Sequence, residues 1–497
     1  MYRKEKDKKV GDIISKLKNT SITAIKKNNY EKALAAISAC ANILYEYNQV
    51  YEDDELEQML LQIGKQIIKC DSQIYNQLKN SNTVLFYDSF GMDLRGHVIV
   101  YTKAIVKNGY HLVYVTNEKA RDNQPNLKRE LEGYDVDWIY INMNKSYLEW
   151  ITSLFYIFEK NKPQNAFFYT TPFDVAGTVV FDRLENYVYR YLIDLTDHAF
   201  WLGKYAADLF IGSRDLAASI SFFHRNIEKD KLAMLDVNLY VNCNMKLGPM
   251  PFDVDKNKFI FSGGSLYKTL GDPDNKFYAI VEHVLVNNPD IFYVYAGFGD
   301  DSQLKNLQYK FKGRVYHLPE RTDFYQIMER CIIYLNTYPM FGGLMMRYAA
   351  NAGKIPITLR HNNDADGLLF DQNDREIQYD DFDTLVKDLD HLLNDKEYLN
   401  TREKKLNGAI MTEECFVRNI GLLIKEKRTE YCYHIQEVDT ADFRDEYRRR
   451  YDCKYGFEHA IAKSINRSLI ISFPKFFLKK FVSKLKIKFT ERKIKDD

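Results

Sequence analysis

A chain of 497 residues exceeds what one ordinary hydrophobic core organises, and its length points to two or three domains. With 45% hydrophobic and 28% charged residues the composition is globular rather than disordered, and a net charge of +1 excludes a polycation that binds nucleic acid by bulk charge. The seven cysteines (Cys40, Cys70, Cys243, Cys331, Cys415, Cys432 and Cys453) are odd in number and form no C-x-x-C pair, which argues against a disulfide framework or a structural zinc site.

The Lys-rich start, Met1 to Val10, has no apolar run behind it, so no signal peptide is read there. No stretch reaches the roughly 20 apolar residues of a membrane span, and a cytoplasmic protein is expected. Residues 1–80 are predicted to be a helical extension. Tyr30, Leu34, Ile37, Ala41 and Leu44 recur at helical spacing, as do Leu56, Met59, Leu60, Ile63 and Ile67, with an acidic turn at Glu52–Asp54 between them. NNYEKALAAISACA resembles one tetratricopeptide-type helix pair, expected to dock on the body of the protein as a hairpin, with partner binding the alternative.

The pattern changes at Asn82. Thr83–Tyr87 is strand-like, DSFGMDLRG a loop, 97–108 a helix ended by Gly109, and His111–Val115 the next strand, which together make a βαβ unit. Alternation continues through WIYINM, a helix near Tyr147–Glu159, AFFYT, YLIDLT and DLFIGS. Residues 236–258 lose periodicity and carry Pro249 and Pro251, as an interdomain connection would. A second alternation follows: KFIFSGG, a helix over 275–287, IFYVYAG, RVYHL, a helix over 323–330, CIIYLN, a helix starting near Gly343, IPITL, and the helix FDTLVKDLDHLLND, with one more over 412–428. The fold class is therefore α/β, with two Rossmann-like domains, at 82–245 and 255–430, flanked by the extension and by C-terminal helices over 431–497. Open sheets of this kind bind ligands beyond their carboxyl ends.

The most informative segment is TYPMFGGLMMRYAANAGKIPIT, Thr337–Thr358. Gly342–Gly343 falls between a strand and a helix, where glycine permits close backbone approach and the helix N-terminus favours a phosphate. This segment resembles the donor-phosphate loop and helix of GT-B glycosyltransferases of the family 4 and family 1 types, through Pro339, Gly342, Gly343, Gly353 and Pro356. SGGSLYK (262–268) is similar to the same domain's G-x-x-x-x-K turn, YVYAGFGDD to its G-x-G stretch, HLPERTDFYQIMERCIIYLNT to its strand-loop-helix-strand, and LRGHVIVYTKAIVKNGYHLVYVT (94–116) to the first glycine loop and helix of the N-terminal domain. The likeness covers roughly residues 82–430. It implies two domains facing a cleft, an acceptor held by the N-terminal domain, and a nucleoside-diphosphate sugar held by Gly96, Ser265, Lys268, Arg321, Gly342, Gly343 and Leu344. One departure is plain: the paired glutamates of many retaining members are absent, with Met340 and Arg347 or Tyr348 in their places. Asp364 or Asp366 is a substitute contact for the ribose, or else part of an exposed acidic loop.

An inverting transferase needs a base, and LTDHAFWLG (195–203) offers His198 beside Asp197 after a strand-like run. Alternatives are a structural helix cap with a packed histidine, or Asp93 and His97 as rival bases. No metal constellation stands out, and no cofactor or cation is required beyond the co-substrate, because Lys268, Arg321 and helix amides would neutralise the leaving diphosphate. From Pro474 the tail PKFFLKKFVSKLKIKFTERKIKDD places Phe477, Leu478, Phe481, Val482, Leu485 and Phe489 on one helical side and lysines mostly on the other. Such a tail is expected to lie on an anionic membrane at the inner face of the cell membrane, where family members with basic tails use lipid-linked glycan acceptors. Rival functions are a non-catalytic partner of an active transferase, and a teichoic-acid-type polyol-phosphate transferase, whose paired histidine motifs are not found.

Overall fold

Apolar runs rich in β-branched and aromatic residues build two sheets. The computed structural model describes residues 2–70, 82–93, 97–143, 145–360, 377–441, 444–445, 448, 457–476 and 478. The first sheet has the order β3-β2-β1-β4-β5-β6-β7, with β1 Thr83–Asp88, β2 His111–Asn117, β3 Val136–Ile141, β4 Asn165–Tyr169, β5 Tyr189–Ile193, β6 Leu209–Gly212 and β7 Leu232–Met234. The second has the order β10-β9-β8-β11-β12-β13, with β8 Phe259–Gly263, β9 Phe292–Ala296, β10 Val315–Leu318, β11 Ile333–Leu335, β12 Ile355–Leu359 and β13 Gln378–Tyr379. Every described pairing is parallel; Val84, for example, stands between Leu112 and Asn165, and Ile333 between Ile260 and Ile355. Strands such as β4 and β12 are buried at every position rather than alternately, as parallel sheets covered on both faces require.

Two compact units contain these sheets. One comprises the chain up to Leu235, Glu414–Glu437 and the described residues from 457 onward; the other comprises Asp236–Glu413 and the described residues of 438–448. The helix Glu413–Glu426 follows the second sheet in the chain, yet it packs with the first. Asn108 Nδ2 donates to the Val417 carbonyl (2.8 Å), Tyr191 Oη to that of Leu423 (2.7 Å), and Lys427 Nζ to Asn165 Oδ1 (2.6 Å).

Among the described residues of the N-terminal extension stand three helices, α1 Tyr2–Lys26, α2 Tyr30–Tyr47 and α3 Asp54–Ile67. Asn29 and Asp53 cap α2 and α3 by accepting the N–H groups of Lys32 (3.1 Å) and Leu56 (3.2 Å). Leu34, Ile37, Ala41, Leu44, Leu56, Leu60 and Ile63 join one core with Leu85, Val113 and Phe168 of the first sheet, so these helices are part of its body. No helix among the described residues is long and apolar enough to cross a membrane.

Candidate functional site

The second sheet changes direction of winding between β8 and β11, its middle strands, and that switch is where an open parallel sheet leaves a crevice. The loops that leave these two strands are knitted together. Gly264, with φ +125°, turns the chain out of β8 into the short helix Leu266–Thr269 that carries Lys268. Its amide donates to the Ala296 carbonyl (2.9 Å), and the Leu266 amide to that of Phe298 (2.8 Å). A Cβ on Gly297 would stand 1.9 Å from the Gly264 carbonyl oxygen, so glycine is required there. From the other loop, the Met340 amide donates to the Lys268 carbonyl (3.2 Å), and Lys268 Nζ donates to the Phe341 carbonyl (3.4 Å). Buried Asn336 accepts the Gly342 amide (3.0 Å), and a Cβ on Gly342 would lie 3.7 Å from Lys268 Nζ. Lys268 and Gly342–Gly343, far apart in sequence, therefore meet. The helix Gly343–Asn351 starts here with no side chain capping it, and Ser265, Gly343 and Leu344 are half-buried around the same turn. First-turn amides of a helix have no partner within it, and with an ammonium beside them they suit an anion.

Arg321 is engaged elsewhere in this unit. Its guanidinium forks onto Asp323 through two contacts of 2.6 Å and donates to the Pro249 carbonyl (2.9 Å), while Asp323 accepts the Gly248 amide (2.6 Å). The two residues that replace the expected second glutamate also tie the connecting segment down. Arg347, buried, pairs with buried Asp236 (2.8 Å), and Tyr348 Oη donates to the Tyr240 carbonyl (2.9 Å).

In the first unit, charge collects at the carboxyl ends of β5 and β6. Asp194 follows β5, Arg214 follows β6, and Asp197 and His198 lie on the connecting loop. Asp197 is buried and accepts from Arg214 Nε (2.6 Å) and Nη2 (2.9 Å). Burial opposes its ionisation, yet Arg214 and the neighbouring imidazole hold the carboxyl well below the usual range. His198 Nδ1 is 3.2 Å from Asp197 Oδ1. An ionised carboxylate only accepts, so Nδ1 must carry the proton; in the neutral ring Nε2 is then the proton acceptor. Sequence neighbours seldom face each other, but here Arg214 holds Asp197 on the side that permits it. Asp194, deeper, is pushed up by burial against the pull of Arg225, whose Nη1 lies 4.0 Å away.

Of the two rival bases, Asp93 is committed to structure. Asp93 accepts the amides of Asn126 (3.1 Å) and Leu127 (2.9 Å) at the start of the helix Pro125–Glu130. His97 opens the helix His97–Lys107 with its ring 6.4 Å from that of Tyr169. Gly96, Asp364, Asp366, Phe477 and the tail beyond Leu478 lie outside the described residues. Sequence reasoning passed over Asp194, Arg214 and Arg225. For Asp194 and Arg214 the available signal was charge placed just after apolar strands, where a parallel sheet opens toward a ligand; Arg225, the last residue of the helix Asp215–Arg225, carried no such sign. Among the described residues no group of three His, Cys, Asp or Glu side chains could hold a metal ion.

No family model matches the chain, and no curated protein matches it in sequence. Solved structures do match in shape. A mutant O-GlcNAc transferase from Thermobaculum terrenum aligns with TM-score 0.51 and 13% identity, over 89% of this chain and 82% of its own. A protein described as a UDP-N-acetylglucosamine 2-epimerase from Listeria monocytogenes gives TM-score 0.51 and 13% identity, over 72% of this chain and 100% of its own. A glycosyltransferase from Rickettsia africae gives TM-score 0.50 and 12% identity, over 70% and 99%. At such identities the likeness is one of fold: two parallel Rossmann-like sheets of the GT-B type, as found in glycosyltransferases and UDP-N-acetylglucosamine 2-epimerases.

Proposed function

We propose that this chain binds a nucleoside-diphosphate sugar at the β8/β11 switch point and transfers the sugar to a hydroxyl acceptor. The observation that carries the proposal is the meeting of Lys268 with Gly342–Gly343 at the uncapped start of the helix Gly343–Asn351. The donor's diphosphate would receive the ammonium of Lys268 and the amides of Gly343 and Leu344, with Ser265 beside them. These groups stabilise the charge that builds on the leaving oxygen as its bond to the anomeric carbon breaks. The acceptor oxygen forms the new bond to that carbon, and its proton passes to His198 Nε2, giving inversion. Asp197 stays ionised and stabilises the imidazolium. Gly96 and Arg321 are kept as donor contacts only on the family likeness.

A lipid-linked or cell-surface glycan precursor as acceptor, with the chain at the inner membrane face, is supported by the basic amphipathic pattern of residues 474–497. Epimerisation is the second reading, favoured by the equal TM-score of the Listeria protein.

A thermal-shift screen with UDP-, GDP- and dTDP-sugars, with and without EDTA, tests the donor site. Ligand at ~100 times its dissociation constant adds about 2.7 kcal/mol to stability. The expected result is a shift with one nucleotide class, lost in Lys268→Ala and unaffected by EDTA. No shift with any nucleotide removes the proposal and leaves the non-catalytic partner. Release of a C2-epimerised sugar nucleotide without acceptor would establish the epimerase instead.

A further inference from the structure

The connection between α2 and α3, with the first turn of α3, reaches the His198 loop repeatedly. Three successive carbonyls of that loop are captured by side chains. Arg225 Nη2 donates to those of Asp197 (3.0 Å) and Ala199 (2.7 Å), and Asn48 Nδ2 donates to that of His198 (2.8 Å). At the loop's far end, Glu57 Oε1 accepts the amides of Gly203 (2.8 Å) and Lys204 (3.3 Å). Glu52 pairs with Lys204, and the Tyr205 hydroxyl donates to Asp54 (2.8 Å). The Tyr51 ring lies 5.3 Å from the Arg225 guanidinium, which is also 4.6 Å from the Trp201 ring.

We propose that this turn is a positioning element for the His198 imidazole, with Asn48 and Glu57 as the positioning residues. Its part in turnover rests on the reading of His198 as the base. A hairpin that only docked would need apolar burial and nothing more. Here two polar side chains, Asn48 at 0% and Glu57 at 3% exposure, are buried in order to bond the backbone of a loop about 150 residues away, and burial of polar groups is tolerated only where such bonds form. Asn48 ends α2 in the left-handed region (φ 46°, ψ 49°), a conformation that asparagine adopts more readily than most residues, and its amide meets the His198 carbonyl from there. Arg214 orients the carboxylate beside the ring, Arg225 holds the carbonyls on either side, and Asn48 holds the carbonyl of His198 itself. The rotation of the His198 backbone unit, and with it the origin of its side chain, is therefore set from the N-terminal helices.

The test uses the full chain with 13C-labelled histidine, the His198 signal being assigned by its disappearance in His198→Gln. Asn48→Gly preserves the left-handed geometry and removes the donor. Glu57→Ala removes the acceptor of both amides, whereas Glu57→Gln retains one. The His198 signal and its titration midpoint are expected to move in Asn48→Gly and Glu57→Ala and to return in Glu57→Gln. Turnover of UDP-N-acetylglucosamine or whichever sugar nucleotide gives a thermal shift should lose kcat by ~10–100-fold in the first two variants, with KM held. An unchanged His198 signal and midpoint in folded Asn48→Gly and Glu57→Ala overturns the proposal. Should Asn48→Gly fail to fold, the contrast between Glu57→Ala and Glu57→Gln decides. A moved His198 signal together with turnover that survives His198→Gln upholds the positioning and removes His198 as the base, so the two failures are told apart.

Discussion

Arg214 grips the Asp197 carboxylate through two N–H groups, at 2.6 and 2.9 Å, and both side chains are nine-tenths buried or close to it. The pair joins the end of β6 to the loop after β5, and it leaves Asp197 Oδ1 shared with His198 Nδ1.

Removing the arginine exposes what the pair is worth. Arg214→Leu should destabilise the chain by ~3–5 kcal/mol at pH 7, because an unpaired carboxylate is left in a dry site. The folded pKa of Asp197 is depressed, so its contribution is complete above the unfolded value of about 3.9 and is lost only as pH falls through the depressed one. Wild-type stability from this pair should thus be flat from about pH 5 to 8. The variant should recover part of its deficit on acidification, as its stranded carboxyl protonates. Urea titrations across that range check both; a loss below ~1 kcal/mol would mean the carboxylate is solvated like a surface pair.

Glu57 behaves oppositely. Burial pushes its carboxyl up to about 7, although the amides of Gly203 and Lys204 pull the other way and nearby Asp182 adds to the rise. In the window between the unfolded value near 4.5 and that folded value, the native state holds a proton that the unfolded chain has released. Stability from this group therefore falls as pH rises from about 4.5 to 7 and then levels, by about 3 kcal/mol in all. Glu57→Gln, which keeps an acceptor without the charge, should flatten that slope and be the more stable protein at pH 8. Chemical unfolding of both proteins at pH 5, 6, 7 and 8 would show it; parallel curves would refute the burial argument.

Gly297 controls the turn that carries Lys268. An added methyl would stand 1.9 Å from the Gly264 carbonyl oxygen, a backbone atom that cannot rotate aside. Gly297→Ala should cost at least ~1–3 kcal/mol and displace the 263–268 turn, weakening any nucleotide-dependent thermal shift along with stability. Gly11→Ala, on α1 with nothing within 4 Å of the new atom, is the control and should be neutral or slightly stabilising. Equal melting temperatures for the two variants would show that the loops have room to separate.

Much of the candidate site could be read before any fold was known. The strand-like run from Thr83, the two glycines of 262–268 with their lysine, and Gly342–Gly343 between strand and helix are all local patterns, and the strands and the helix Gly343–Asn351 stand where those patterns put them. Other features carried no local sign. Asn48 and His198 are 150 positions apart, Asn108 and Val417 are 309, and nothing in the composition of either neighbourhood marks the other. The return of Glu414–Glu437 to the first unit has the same character.

Local pattern was enough to reach most strands of both sheets and their parallel character, although the helices Val175–Arg183, Asp215–Arg225 and Ser302–Lys310 and the edge strands β7 and β13 were not read from it. What it reached follows from side-chain periodicity and from glycine and proline, which act over a few residues. It took the folded chain to show that Arg214 holds Asp197, that Arg225 and Asn48 divide the carbonyls around His198, and that Arg347 pairs with Asp236. The physical reason is burial. A polar side chain has many possible partners in an open chain, and which one it takes is settled when water is excluded and the remaining donor or acceptor must be the one that packing has brought within about 3 Å.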